Sequence, residues 1–216
     1  MTLHAPVPDH EAARQAMVDG QLRPQGVNDP LVIEAMSLVP REQFVPEDLR
    51  PLAYLDRSLP LGHGRFLSSP EAVGLLLTGL APVSGERALV VGAGTGYSAA
   101  VLARIGLDVT AVESSPELAA VARANGIKVV EAPLQAGHAR GGPYDLILVD
   151  GAIEHLPDAL VAQLVEGGRL GAALIEGPIT RLAVGRKAGG GLGLRTFADV
   201  GAAALPGFNR PHAFTF

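Results

Sequence analysis

From Arg87 to Glu176 the chain alternates short apolar runs with helix-patterned ones, and this alternation restricts the fold more than any other feature. ALVV, DVTAVE, IKVVEA, YDLILVD and RLGAALIE read as five strands. YSAAVLARIG, PELAAVARANG and LPDALVAQLVEGG read as helices between them. Strands and helices at this spacing predict βαβ units, hence a mostly parallel, doubly wound α/β sheet with right-handed crossovers and helices on both faces. After Pro178, TRLAVGRKAGGGLGLRTFADVG holds two extended runs joined by a glycine-rich turn, which predicts an antiparallel hairpin on the sheet edge.

Upstream the texture is helical and broken by proline. MTLHAPVPDH reads as a loose tail, and EAARQAMVDGQL as a helix stopped by Gly20 and Pro24. In VNDPLVIEAMSLVP, Asn28 or Asp29 caps a helix with Pro30 in its first turn. REQFVPEDLRPLAY is cut into short pieces, and SSPEAVGLLLTGL is a helix capped by Ser68 or Ser69. The expected organisation is an N-terminal helical extension with a covering loop over residues 1–80 and an α/β domain over 81–216. A chain of 216 residues buries roughly 70% of its unfolded surface and needs no disulfide or metal for a core.

Composition removes several chemistries. The absence of cysteine excludes thiol redox chemistry, thiolate-zinc sites and a cysteine nucleophile. Six histidines show neither HxH nor HExxH spacing, so no metal is expected, and His63 reads as a structural group rather than a base. The net charge of −5 argues against a nucleic-acid partner. There is no apolar run of about 18 residues and no basic segment leading into an apolar one at the N-terminus. A soluble, cytoplasmic protein without a membrane partner is the expectation.

VVGAGTGYSAAVLARIG places Gly92, Gly94 and Gly96 between a strand and a helix. Glycines there permit positive φ and let a ligand approach the backbone without a Cβ in the way. Glu113 ends the next strand about 20 residues on, where a carboxylate accepts hydrogen bonds from ribose hydroxyls. The candidate cofactor-binding residues are Gly92, Ala93, Gly94, Gly96, Tyr97, Glu113 and Ser114. A glycine packing turn beside a surface glutamate is the alternative. The GxGxG spacing, rather than GxGxxG, weighs against an NAD-dependent oxidoreductase.

GAGTGYSAAVLA followed by Glu113 resembles the first two motifs of class I S-adenosylmethionine-dependent methyltransferases. VPREQFVPEDLRPLAYLDRSLPLGHGRFLSSP, at residues 39–70, resembles the N-terminal region of protein-L-isoaspartate (D-aspartate) O-methyltransferases. In that family a VPR-x-x-F-VP segment leads into a P-x-G-x-G-x-x-x-S-x-P loop. The resemblance runs from about Met17 to Gly171. It implies a Rossmann-like methyltransferase sheet, S-adenosyl-L-methionine as cofactor, and methylation of the free carboxylate of isoaspartyl residues in damaged proteins. The ester then collapses to a succinimide that can reopen to aspartate. The implied partner is a protein or peptide substrate carrying a free carboxylate.

Carried over by position, Ser68 falls on the loop serine given the catalytic role of orienting the carboxylate, with Ser69 free to cap the helix. Pro70, Gly62 and Gly64 match the loop's proline and glycines. Gly64, Phe66, Leu67, Ser68 and Ser69 are the candidate substrate-binding residues. The final FNRPHAFTF, with Phe214 and Phe216 alternating, reads as a sheet strand or a dimer contact, and the family resemblance implies a strand near the site.

Four departures stand beside these matches. The family loop usually reads Q-T-I-S where this chain has Arg65-Phe66-Leu67-Ser68, so Phe66 replaces a small hydroxyl residue. Val90 stands where methyltransferases commonly carry an acid for the cofactor's ammonium. Ala132-Pro133-Leu134 replaces a G-D-G whose Asp holds the adenine amino group. VDGAIEHLP brings Asp150 and Glu154 into a segment the family keeps small and neutral, and Asp150 becomes a candidate replacement partner for the ammonium. A methyltransferase-like binding module without turnover, or an enzyme for another carboxylate, are the alternatives these departures motivate.

Overall fold

In the computed structural model, residues 9–210 are described. The chain opens with α1 (His10–Met17), continues through a π turn at Val18–Leu22, and reaches α2 (Pro30–Leu38). Asp29 is the cap of α2: its Oδ1 accepts from the N–H groups of Leu31 (2.9 Å) and Val32 (3.2 Å), and Pro30 takes the first helical position. The proline-broken segment folds as two 3-10 turns, Arg41–Phe44 and Glu47–Leu52. A two-stranded hairpin of β1 (Leu59–Gly62) and β2 (Arg65–Leu67) then leads into α3 (Pro70–Leu80).

The α/β part runs β3 (Arg87–Val91), α4 (Tyr97–Ile105), β4 (Asp108–Glu113), α5 (Pro116–Ala124), β5 (Val129–Glu131), β6 (Tyr144–Ile153), α6 (Asp158–Ala162) and β7 (Leu164–Glu176). It ends in β8 (Ile179–Ala188) and β9 (Gly191–Asp199). The seven strands form one sheet in the order β5-β4-β3-β6-β7-β8-β9. The first five lie parallel, and β8 and β9 add the antiparallel edge that the glycine-rich turn predicts.

The central strands are apolar on both faces, as a sheet covered on both sides requires. Ala88 and Val90 of β3 and Leu146 and Leu148 of β6 face one core, which also holds Met17, Val32, Met36, Leu77 and Leu102. Their neighbours Leu89, Val91, Ile147 and Val149 face the other, with Leu134, Leu160 and Leu205. The N-terminal helices therefore pack into the same core as α3, α4 and the sheet.

Two elements differ from expectation. LPDALVAQLVEGG keeps only five residues of helix, and β7 begins at Leu164. The Tyr144 N–H donates to Gln163 O (2.8 Å), and Leu164 pairs with Tyr144 at the start of the β6–β7 ladder, so tertiary pairing overrides helix propensity. The Gln163 side chain ties the turn down through Ala136 O, Ala159 O and the His138 N–H, each at 2.8 Å. LPLGHGRFL forms a hairpin where only a glycine-hinged loop is expected. Residues 1–8 and 211–216, the latter with Phe214 and Phe216 of the expected C-terminal strand, lie outside the described residues, and Phe208–Arg210 at its start are not in a strand.

Beyond β9 the chain returns over the carboxyl end of β6. Leu205 N–H donates to Ala152 O (2.7 Å) and Ala152 N–H to Ala203 O (2.9 Å). The crossing segment brings Leu205 over the turn that follows β3.

Candidate active site

The sheet order reverses between β3 and β6, and ligands of open α/β sheets bind outside the carboxyl ends of strands at such a point. Both halves of the candidate site meet there. On one side is the turn after β3, where Gly92 and Gly94 have φ of +80° and +55°. On the other is Asp150, toward the end of β6.

The glycine turn is clamped to Glu113, which is fully buried at the end of β4. Gly94 N–H donates to Glu113 Oε2 (2.7 Å), and the N–H groups of Ser114 (2.8 Å) and Ser115 (3.1 Å) donate to Oε1. Glu113 is thus not the surface group of the packing-turn alternative. Gly96, at φ +100°, starts α4, and Ala93 is buried behind the turn. Tyr97 lies inward, fully buried, with its ring against Phe44 (5.5 Å between centroids) and under the Arg41 guanidinium (4.7 Å). Val90 is fully buried in the core, flanked by Ala111 and Leu148 in the ladder, so an acid there would be a buried charge. Leu134 is likewise buried, and Pro133 precedes its 3-10 turn.

The β1–β2 hairpin delivers the second half. Ser69 is the N-cap of α3, its Oγ accepting from Ala72 N–H (3.3 Å), which leaves Ser68 free to face the site. Ser68 Oγ donates to Asp150 Oδ1 (2.6 Å), and Ser98 Oγ, from the first turn of α4, donates to Oδ2 (2.6 Å). Burial pushes the Asp150 carboxyl above its ordinary range, opposed by the two serine hydroxyls, Arg65 and Arg41. Arg41, fully buried, donates to the carbonyls of Ser68 (2.6 Å) and Ala53 (2.7 Å) and so holds the backbone of the serine loop. Leu67 is buried, Phe66 is 41% exposed, and Gly64 sits in the open hairpin turn at φ +69°. His63, in the same turn, places Nδ1 3.7 Å from Glu117 on the surface.

Arg65 joins the two halves. Its Nη2 donates to Gly92 O (2.7 Å) and its Nη1 to Glu113 Oε1 (3.2 Å), with the side chain only 3% exposed. Burial pushes its pKa down, with Glu113 and then Asp150 opposing. A Cβ at Gly92 would lie 2.8 Å from Arg65 Nη2 and 2.9 Å from Leu205 Cδ1. One at Gly94 would lie 2.8 Å from Leu61 Cδ1. The space left between Arg65, Ser68, Asp150 and Leu205 is about 10 Å³, room for about one water.

By type, these residues fit a nucleoside-bearing cofactor: glycines without Cβ, an exposed-by-φ backbone, and a strand-end carboxylate with hydroxyl-accepting capacity. The cradle is filled by the chain's own side chains. Arg41, Arg65 and Ser98 are the site residues sequence reasoning misses. Arg65 carries a signal, standing where the family has Gln, and Arg41 another, inside VPR. Ser98 carries none. Among the described residues, no group of three or more His, Asp or Glu is arranged to hold a metal, and no helix is long and apolar enough to cross a membrane.

Fold and site together define a class I methyltransferase architecture. A solved structure called protein-L-isoaspartate O-methyltransferase superposes with a TM-score of 0.77 at 25% identity, over 90% of this chain and 66% of its own. A Plasmodium falciparum structure described as this methyltransferase in complex with S-adenosyl-L-homocysteine has the same fold, with a TM-score of 0.77 at 23% identity over 92% and 99% of the two chains. The sequence profile of the protein-L-isoaspartate(D-aspartate) O-methyltransferase family matches residues 12–191. Protein-L-isoaspartate O-methyltransferase 1 of Rhodopseudomonas palustris is 43% identical over 77% of this chain and 73% of its own. The Methylorubrum extorquens enzyme is 45% identical over 78% and 77%. The chain belongs to the protein-L-isoaspartate(D-aspartate) O-methyltransferase family.

Proposed function

We propose that this protein is an S-adenosylmethionine-dependent methyltransferase acting on the free carboxylate of isoaspartyl residues in proteins or peptides. The observation that carries the reading is the placement of Ser68, on the family's loop, beside Asp150 and one side chain away from the Gly92–Gly94 turn and Glu113.

The cofactor supplies a methyl group already activated on a sulfonium. The acceptor carboxylate is ionised at neutral pH and would need no general base to take that methyl as an ester, with the sulfonium left as a thioether. The task left to the chain is alignment, which alone supplies several kcal/mol. Gly92, Ala93, Gly94, Gly96, Glu113 and Ser114 line the cofactor side, and Tyr97 supports it from beneath. Ser68 turns its hydroxyl from Asp150 to the substrate carboxylate, while Arg41 holds the Ser68 backbone. Asp150 would hold the cofactor's ammonium in place of the Ser68 hydroxyl that it now accepts from. Phe66, exposed beside Ser68, meets the substrate with Gly64, and this contact favours a peptide flanked by apolar residues.

The test is methyl transfer from labelled S-adenosylmethionine to an isoaspartyl peptide and to its aspartyl twin. We expect transfer to the isoaspartyl peptide alone, reduced about 100-fold in kcat by Ser68→Ala, the usual size of one lost transition-state hydrogen-bond donor. Transfer to neither peptide would overturn the substrate assignment.

A further inference from the structure

Arg65 occupies the place that a cofactor needs. Its guanidinium lies on Gly92 O and Glu113 Oε1, an acceptor on the glycine turn and an acceptor on the strand-end acid. Ribose hydroxyls and an ammonium are donors of the kind these two acceptors take. The contacts are buried: Arg65 is 3% exposed and Glu113 fully enclosed. Both groups are therefore withdrawn from water, and parting them takes a replacement donor for Glu113 and an acceptor or water for Arg65.

The charges also match. The methionine end of S-adenosylmethionine carries an ammonium, a sulfonium and a carboxylate, a net charge of +1, the same as one guanidinium. Exchanging one for the other leaves the charge facing Glu113 and Asp150 unchanged.

Arg65 is carried on a small hairpin whose Leu59, Leu61 and Leu67 are anchored in the core while its turn at residues 62–64 is exposed. The β1–β2 hairpin pairs only with itself, outside the main sheet. Its turn has three consecutive positive φ values at Gly62, His63 and Gly64, and the turn is exposed. Ser68 follows Arg65 by three residues on the same strand exit. Withdrawing Arg65 pulls on the segment that holds Ser68 against Asp150.

Resting on the reading of the site as one for S-adenosylmethionine, we propose that Arg65 is an intramolecular competitor for the cofactor cleft. The cofactor enters by displacing the Arg65 guanidinium from Gly92 and Glu113, and the hairpin shift that follows releases Ser68 from Asp150 for the substrate. Cofactor then binds before substrate, because Ser68 is tied up until Arg65 leaves.

Calorimetric titration of S-adenosylmethionine into the parent and into Arg65→Gln, the residue the family carries there, tests this directly. We expect the variant to bind about tenfold tighter or more, since the competitor's charge-assisted hydrogen bonds are gone. Hydrogen exchange of the parent provides the second reading. Amides of residues 59–67 should exchange faster with S-adenosylmethionine bound than without it. Equal or weaker binding by Arg65→Gln would overturn the proposal, as would slower or unchanged exchange of the hairpin. If Arg65→Gln does not fold, the exchange measurement on the parent decides. Binding by neither protein would overturn the cofactor reading and this proposal with it, whereas equal binding by both would overturn this proposal alone.

Discussion

The two halves of the site are built differently. The cofactor half is a backbone device: a turn between β3 and α4, clamped by a carboxylate only 19 residues further along. The acceptor half is assembled from side chains far apart in sequence, with Ser68 meeting Asp150 across 82 residues and Arg65 meeting Glu113 across 48. The first depends on glycine geometry within a parallel sheet and tolerates little change. The second depends on where a small hairpin rests, and Arg65 and Phe66 depart from the family there, while Val90 and Pro133 depart on the cofactor side. The backbone device of the cofactor half thus stands although two of the side chains expected around it are replaced.

The largest effect should come from cutting the link between the halves. Glu113→Ala removes the partner of a buried guanidinium, a change that costs about 3–5 kcal/mol. For a chain of this length that is a fall of about 10 °C in melting temperature. The double variant Glu113→Ala/Arg65→Met should recover part of the loss, because no unpaired charge then remains. Thermal unfolding of the four proteins in the cycle measures the coupling. A loss below about 1 kcal/mol in Glu113→Ala would mean that the halves stand independently.

The difference between the halves is also the difference in what the sequence discloses. Strand alternation, the glycine spacing and Glu113 are local patterns with a direct physical meaning, and the mostly parallel, doubly wound sheet follows from them. Ser69 as cap and Ser68 as the inward residue follow from SSP, because proline at the first helical position fixes where the cap must be. The shortening of the helix after Pro157 is not legible, since the ladder between Tyr144 and Leu164 and the buried Gln163 decide it. Nor is the insertion of Arg65. A charged residue at a loop position reads as solvated, and only the hairpin's resting place shows that its acceptors are Gly92 and Glu113. Val90 shows the reverse case: its lack of charge is a departure in sequence and an ordinary core residue in the fold.

A smaller effect separates the halves by pH. Asp150 lies in the acceptor half, and its carboxyl is held above the ordinary 3.8 by burial. The folded protein therefore holds this proton more tightly than the unfolded chain. The stabilisation is complete below the ordinary value and is lost as pH rises through the folded one. Asp150→Asn removes the buried charge while its amide can still pair with the hydroxyls of Ser68 and Ser98. We expect the variant to be more stable than the parent at pH 7.5 by on the order of 1 kcal/mol, with no advantage near pH 3.5. Urea unfolding at the two values measures it. A variant less stable than the parent at pH 7.5 would show that the ionised form carries a structural role worth more than its desolvation.

The smallest effect belongs to the start of α3, just past Ser68 and Ser69. Burial, then the hydrogen-bonding and charge of the Asp56 carboxyl, push the Glu71 carboxyl from 4.5 up to about 7. Asp56 Oδ1 also accepts from Glu71 N–H (3.0 Å), so the two acids tie the loop after the 3-10 turns to the helix. The sign is the same as for Asp150: the contribution is whole below about pH 4.5 and fades as pH rises through 7. Asp56 is exposed and Glu71 only half-buried, so screening limits the effect to less than about 1 kcal/mol. Unfolding by urea at pH 5.5 and pH 8.5 should show the parent losing stability between the two values. Glu71→Gln should lose less, because one of the two facing charges never forms. An identical loss in the variant would place the pH dependence elsewhere, with Asp150 the remaining acid of the acceptor half held above its ordinary range.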